Sequence, residues 1–283
     1  MFRVIQFECK KMFMQNELWI VLFICSLIAL IGYFEAVLSP FNNVNTLETI
    51  NSATEVSMIG GSGLGLMTVL ALVPLLATIP CATSFYDECS NFSINIIATR
   101  STRRKYHFGK IVVIVITAFV VSVLPFSLNL LFCLIAFPMQ GFRVQEFQGI
   151  SSGRYGGSLN LQPLHSVLFP NLYLNMPILN AVLHIFGVGL FGVSMALLSY
   201  AMTLIYRKYK IIAIAFSCII STLSVLVFSS LNLQALVLQD YFILRPIFKD
   251  IQLCTPLIEL IALFTLSFSV VLIKLHKCKD VIA

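Results

Sequence analysis

Six stretches of the chain are apolar almost without a break: residues 18–38, 64–84, 111–137, 178–205, 211–231 and 255–273. The acids within them are Glu35, near the end of the first, and Glu259, near the start of the sixth. Crossing about 30 Å of hydrocarbon takes about 20 apolar residues in a helix rising about 1.5 Å per residue. Each stretch has that length. A bilayer offers backbone N–H and C=O groups no water, so such runs must be helices. The pattern predicts an all-α polytopic membrane protein with six transmembrane helices.

Composition agrees. The chain has 283 residues, 59% hydrophobic and 11% charged. A soluble domain carries about 25% charged residues, so this much apolar surface has no place in a water-soluble fold. Disorder is excluded because it needs low hydrophobicity. The eight Cys are scattered, without the spacing of a disulfide framework.

Charge sets the orientation. Arg3, Lys10 and Lys11 precede the first stretch. Arg100, Arg103, Arg104, Lys105 and Lys110 lie between the second and third. Arg207, Lys208 and Lys210 lie between the fourth and fifth, and Lys274, Lys277 and Lys279 follow the sixth. Only Arg143, Arg154, Arg245 and Lys249 fall on the other side. Basic residues stay inside, so both termini are expected in the cytoplasm. The net charge of +6 reflects this bias and does not point to nucleic acid. No small-residue cleavage site follows the first stretch, which is expected to act as its own insertion signal. Three segments are expected outside: 39–63, 138–177, the largest, and 232–254, which is expected to dip into the interface as a re-entrant or surface-lying helix.

Two cytoplasmic segments carry more than topology requires. In residues 1–17, Phe2, Ile5, Cys9, Met12 and Phe13 fall near helical spacing on one side, while Arg3, Gln6, Lys10 and Gln15 mostly face elsewhere. This predicts an amphipathic helix in the membrane interface, with Glu17 and Trp19 at headgroup level. Residues 85–110 form a connector much longer than the fourth-to-fifth turn. Asp87 and Glu88 open it, Ile94, Ile96 and Ile97 supply an apolar patch, and Arg100, Arg103, Arg104 and Lys105 close it. Acids first and bases last suit the dipole of a helix lying across the cytoplasmic surface. A solvated loop whose bases only enforce topology fits the same charges.

The order of parts resembles the membrane subunit of ABC export systems, the type-2 ABC transporter permease family. Such subunits begin with a short amphipathic helix holding an acid and a Lys pair, matched by Glu8, Lys10 and Lys11. After the second span they carry F-x-x-E, a polar turn, an apolar stretch, then S-R-x-x-Y-x-x-G-K. Here Phe85-Tyr86-Asp87-Glu88 precedes the isoleucine patch, and Ser101-Thr102-Arg103-Arg104-Lys105-Tyr106-His107-Phe108-Gly109-Lys110 follows it. The usual Gly-Thr after the acid is replaced by Cys89-Ser90-Asn91-Phe92-Ser93. The resemblance implies a cytoplasmic coupling helix within 85–110 that docks on an ATPase subunit. It also implies two ATPase copies, a second permease chain, identical or homologous, and a bacterial cytoplasmic membrane. ATP and Mg would then belong to the partner ATPase, with no cofactor on this chain.

Other chemistries find little support. Gly60-Gly61-Ser62-Gly63-Leu64-Gly65 lacks the Lys of a P-loop, and Gly187-Val188-Gly189-Leu190-Phe191-Gly192 lies inside an apolar run without a preceding strand. The latter reads as close helix packing through small residues. No C-x-x-C or H-E-x-x-H occurs, so no metal site is expected. Glu35, His184 and Glu259 are the ionisable groups inside spans, and such groups mark substrate paths or reach water near a helix end. An ion-coupled carrier would show mid-span charges and repeated halves, and an intramembrane enzyme would show convergent acids or His; both are scarce here. The 24 Phe suit an amphipathic cargo, such as a peptide antibiotic or lipid-linked molecule, and equally suit contact with lipid.

Overall fold

A computed structural model describes residues 2–42, 53–60, 63–90, 103–137, 169, 172, 175–205, 210–231, 237–242 and 254–277. Those residues are helical, with short turns between, and no strand occurs among them. The helices are α1 (Phe2–Phe13), α2 (Asn16–Asn42), α3 (Ala53–Val56), α4 (Gly63–Met67), α5 (Val73–Ser90), α6 (Arg103–Ala136), α7 (Pro177–Ile205), α8 (Lys210–Ser230) and α9 (Cys254–Lys277). By length and apolar composition, α2, α6, α7 and α8 each hold a stretch able to cross a membrane.

The second apolar run is less regular than the sequence suggested. Residues 63–90 form one rod in three parts: α4, a π turn at Thr68–Leu72, and α5. The Val73 N–H donates to the Thr68 carbonyl, five residues back. Pro74, next along, has no N–H to return to the preceding turn, so a widened turn just before it loses less than it would elsewhere. The sixth apolar run forms a single continuous helix, α9, over Cys254–Lys277. Of the segment 232–254, the structure describes a 3₁₀ turn at Leu238–Phe242 that packs on α7. Leu238, Gln239, Tyr241 and Phe242 are buried there.

α7 is the central rod, touching α5, α6, α8 and α9. Small residues let the neighbours approach. A Cβ on Gly189 would lie 2.5 Å from Phe119, and one on Gly187 would lie 2.8 Å from Phe242. One core joins Val188 and Phe191 to Val73, Val121 and Leu238. A second, towards the C-terminal end of α7, joins Ala196 and Tyr200 to Phe85, Tyr106 and Met12.

A buried asparagine pins the other end. Asn129 of α6 accepts the Met58 N–H at 2.8 Å and donates to the Ala29 carbonyl of α2 at 3.1 Å. Met58 is thereby wedged between Gly32 of α2 and Gly65 of α4. An apolar environment makes an unpaired amide costly, and both ends of this one are used.

Candidate functional site: a buried ion cluster between α1, α5 and α6

The C-terminal end of α5 and the N-terminal end of α6 lie side by side, and α1 packs on α6 and reaches α5 through Lys11 and Met12. Each contributes a polar pair at helical spacing: Ser84 and Glu88 on α5, Tyr106 and Lys110 on α6, Glu8 and Lys11 on α1. Residues three or four apart share a helix face, so all three pairs turn towards one point.

Lys110 is at its centre, with its side chain fully buried. Its ammonium donates to Glu88 Oε1 at 2.6 Å, to Glu8 Oε2 at 3.1 Å and to Ser84 Oγ. An ammonium has three N–H groups, and each has an acceptor. Glu88 Oε1 also accepts from Lys11 Nζ at 2.8 Å, and Glu88 Oε2 accepts from the Tyr106 hydroxyl. Two ammonium groups thus face two carboxylates. Buried charges persist only where they are paired and hydrogen-bonded.

The two acids respond differently to this setting. Burial would raise the Glu88 pKa, but the charge of Lys110 and the hydrogen bonds from Lys11, Lys110 and Tyr106 outweigh it, and Glu88 is held below the usual carboxyl range. Glu8 is raised: burial dominates, Lys110 offsets part of it, and the neighbouring Glu88 charge adds to the rise. Glu8 Oε1 is buried with no hydrogen-bond partner, consistent with its weaker hold on a charge.

A polar and aromatic layer next to the cluster reaches α7. His107 Nδ1 and the Tyr200 hydroxyl are hydrogen-bonded at 2.7 Å. Phe85 meets the Tyr200 ring edge-on at 5.2 Å. Every N–H of Lys110 is engaged, and among the described residues no group of His, Cys, Asp and Glu is placed to hold a metal ion. The arrangement fastens a surface helix to the ends of two long helices and, through Tyr200, to a third.

The expected site residues divide three ways. Glu8, Lys11 and Glu88 come together in the cluster, and Ile5 packs beside it. Glu88 is 1% exposed, so its carboxylate serves this internal network. Lys10 and Lys105 are exposed, and Asp87 is half-buried on α5. Arg103 and Arg104 lie in the first turn of α6, which starts earlier than the apolar run; their side chains, and that of Phe2 on α1, lie outside the described residues. Ile94, Ile96, Ile97 and Arg100 lie outside them altogether, so of the segment 85–110 the structure describes the two ends, both as continuations of α5 and α6. Glu35 is exposed on α2, Glu259 is half-buried on α9, and His184 is buried on α7 with its Nδ1 at 2.9 Å from the Asn180 carbonyl. No hydrogen bond or ion pair joins these last three among the described residues.

Sequence reasoning passed over Lys110 as the partner of Glu8 and Glu88, Tyr106 as a partner of Glu88, Ser84 as a partner of Lys110, and His107 and Tyr200 as a pair. One signal was available. Glu8 lies on the same helical stripe as Ile5 and Met12, and a charge on a face that becomes buried requires a counter-charge. The apolar side expected to lie in the membrane interface instead packs on the bundle at Ile5, Cys9 and Met12, while Phe13, grouped with them by spacing, is 56% exposed; at 100° per residue it falls at the stripe's edge.

Comparison of the chain with protein-family models, with curated proteins and with solved structures finds no match in any of the three.

Proposed function

We propose that the chain is a transmembrane permease subunit of an ABC export system. In this reading it spans the membrane six times with both termini in the cytoplasm. Two copies of a separate ATPase dock on residues 85–110, and a second permease chain completes the pathway. The cargo class is an amphipathic peptide or a lipid-linked molecule.

The observation that carries the reading is the Glu8–Lys110–Glu88 cluster. A permease without its own ATPase must pass a movement from a docked partner to its helices. The segment that leaves α5 and returns into α6 has both ends gripped by one ion cluster, and α1 is bound to the same charges. A displacement of residues 91–102 would therefore act on α5, α6 and α1 together. Nucleotide then shifts a population by favouring one arrangement of that unit.

The test is copurification at matched membrane expression. The wild-type chain is expected to bring down an ATPase and, by itself, to hydrolyse no ATP. Ile96→Asp or Ile97→Asp is expected to keep insertion but lose transport-coupled hydrolysis, because each apolar side chain buried on a partner contributes about 1.5–3 kcal/mol. Arg103→Ala with Arg104→Ala is expected to weaken docking in a salt-sensitive way. Hydrolysis by a preparation free of other chains, or full coupling in all these variants, would remove the permease reading.

A further inference from the structure

α1 docks with its charged side inward. Glu8 and Met12 are buried, and Lys11 reaches into the ion cluster. The opposite side is left uncovered and mixes apolar with polar side chains: Phe7 and Phe13 are 56% exposed, Met14, just past the helix, is 74% exposed, and Gln6 is exposed among them. Lys10 is exposed on the same side, three residues from Phe7 and four from Met14. Glu8 is the one carboxylate in the α1 sequence, and it is turned inward against Lys110. The outward face of α1 therefore shows a cation among apolar and uncharged polar side chains and no acid.

That face continues into α2. Trp19, Ile20 and Phe23 are exposed on its first turns, and α2 is apolar and long enough to cross a membrane. Trp19 is fixed at the junction by donating its indole N–H to the Phe13 carbonyl at 2.9 Å. Phe108, on the first turns of α6, is exposed as well. Aromatic rings at the end of an apolar helix belong at headgroup depth, and a Lys among them extends its stem along the acyl boundary with its ammonium among phosphates.

We propose that the outward face of α1 is a docking surface for anionic phospholipid headgroups, with Lys10 as the phosphate contact and Phe7, Met14 and Trp19 seated at the acyl boundary. The charge of the face and its continuity with α2 favour lipid over a protein occupant. The proposal needs the chain to lie in a membrane and is independent of whether an ATPase drives it.

The chain supplies its own probe, because Trp19 is its single tryptophan. The full chain is reconstituted in vesicles of phosphatidylcholine and phosphatidylglycerol, with brominated acyl chains placed on one lipid or the other at equal mole fraction. Bromine on phosphatidylglycerol is expected to quench Trp19 more than bromine on phosphatidylcholine. A basic residue near the surface is worth about 1 kcal/mol towards anionic lipid, or about five-fold local enrichment. Lys10→Gln, at an exposed position outside the ion cluster, is expected to remove most of the preference, and so is high salt. Equal quenching by the two lipids would overturn the proposal and return this face to a protein partner. A preference unchanged in Lys10→Gln would overturn the assignment to this face. Quenching by neither would overturn both the proposal and the membrane reading, whereas failure of the permease reading alone would leave the lipid preference intact.

Discussion

Replacing Lys110 with Met would leave two buried carboxylates facing one partly exposed ammonium, that of Lys11. Breaking a buried pair by removing one partner costs about 3–5 kcal/mol, because the charge left behind is uncompensated. Lys110→Met is therefore expected to lower the thermal midpoint in detergent well below that of Lys10→Met, and to expose α1 to limited proteolysis. Equal midpoints would show that the cluster carries no stability. The two acids also set the pH response. Both have an ordinary pKa of 4.5. Glu88 lies below it when folded, so its contribution is present above that value and is lost as pH falls through the lowered one. Glu8 lies above it, so its contribution is present below the ordinary value and is lost as pH rises through the raised one. Midpoints measured from acid to neutral pH should thus lose their acid-side fall in Glu88→Gln and their fall on the other side in Glu8→Gln; unchanged profiles in both would refute the assignment. The chain displays Glu8, Lys11, Glu88 and Lys110 plainly as charges, but their pairing joins residues 22, 77 and 102 positions apart. Such contacts are set by how helices pack, which spacing along one helix does not encode.

At the scale of elements, hydrophobic runs locate helices well and their ends poorly. α6 begins at Arg103 although its apolar run begins at residue 111, because a helix emerging from lipid can continue with polar residues while its N–H groups stay paired. The π turn before Pro74 was not legible either; an extra residue per turn leaves composition unchanged. Glycines make the packing testable. A Cβ on Gly65 would lie 1.9 Å from the Met58 carbonyl oxygen, an atom of the backbone held in place by its Asn129 contact. A Cβ on Gly32 would lie 2.6 Å from the Met58 side chain, which can turn away. Gly65→Ala is expected to destabilise by about 1–3 kcal/mol through overpacking. Gly32→Ala is expected to cost less, since Ala favours a helix by up to about 1 kcal/mol over Gly. Thermal midpoints of the two variants decide it, and the reverse order would show that the Met58 wedge is misplaced.

For the whole molecule, the placement of basic residues leads to an expectation about sidedness. A membrane-impermeant maleimide applied to sealed cells should label cysteines introduced within 138–177 and spare Cys278. Labelling of Cys278 would reverse the topology and, with it, the side on which an ATPase could dock. The ion cluster has a consequence for how such a chain is made. α1 leaves the ribosome before α5 and α6, and Glu88 and Lys110 follow Lys11 and Glu8 by 77 and 102 residues. At a synthesis rate of roughly 5–20 residues per second, Glu8 has no ammonium from α6 for roughly 5–20 seconds. During that wait its carboxylate must stay in water or among headgroups, since burial without a counter-charge is prohibitive. α1 therefore closes onto the bundle only after the start of α6 has been synthesised, and a chain truncated before residue 110 would leave it unfastened, open to proteases that remove incomplete products.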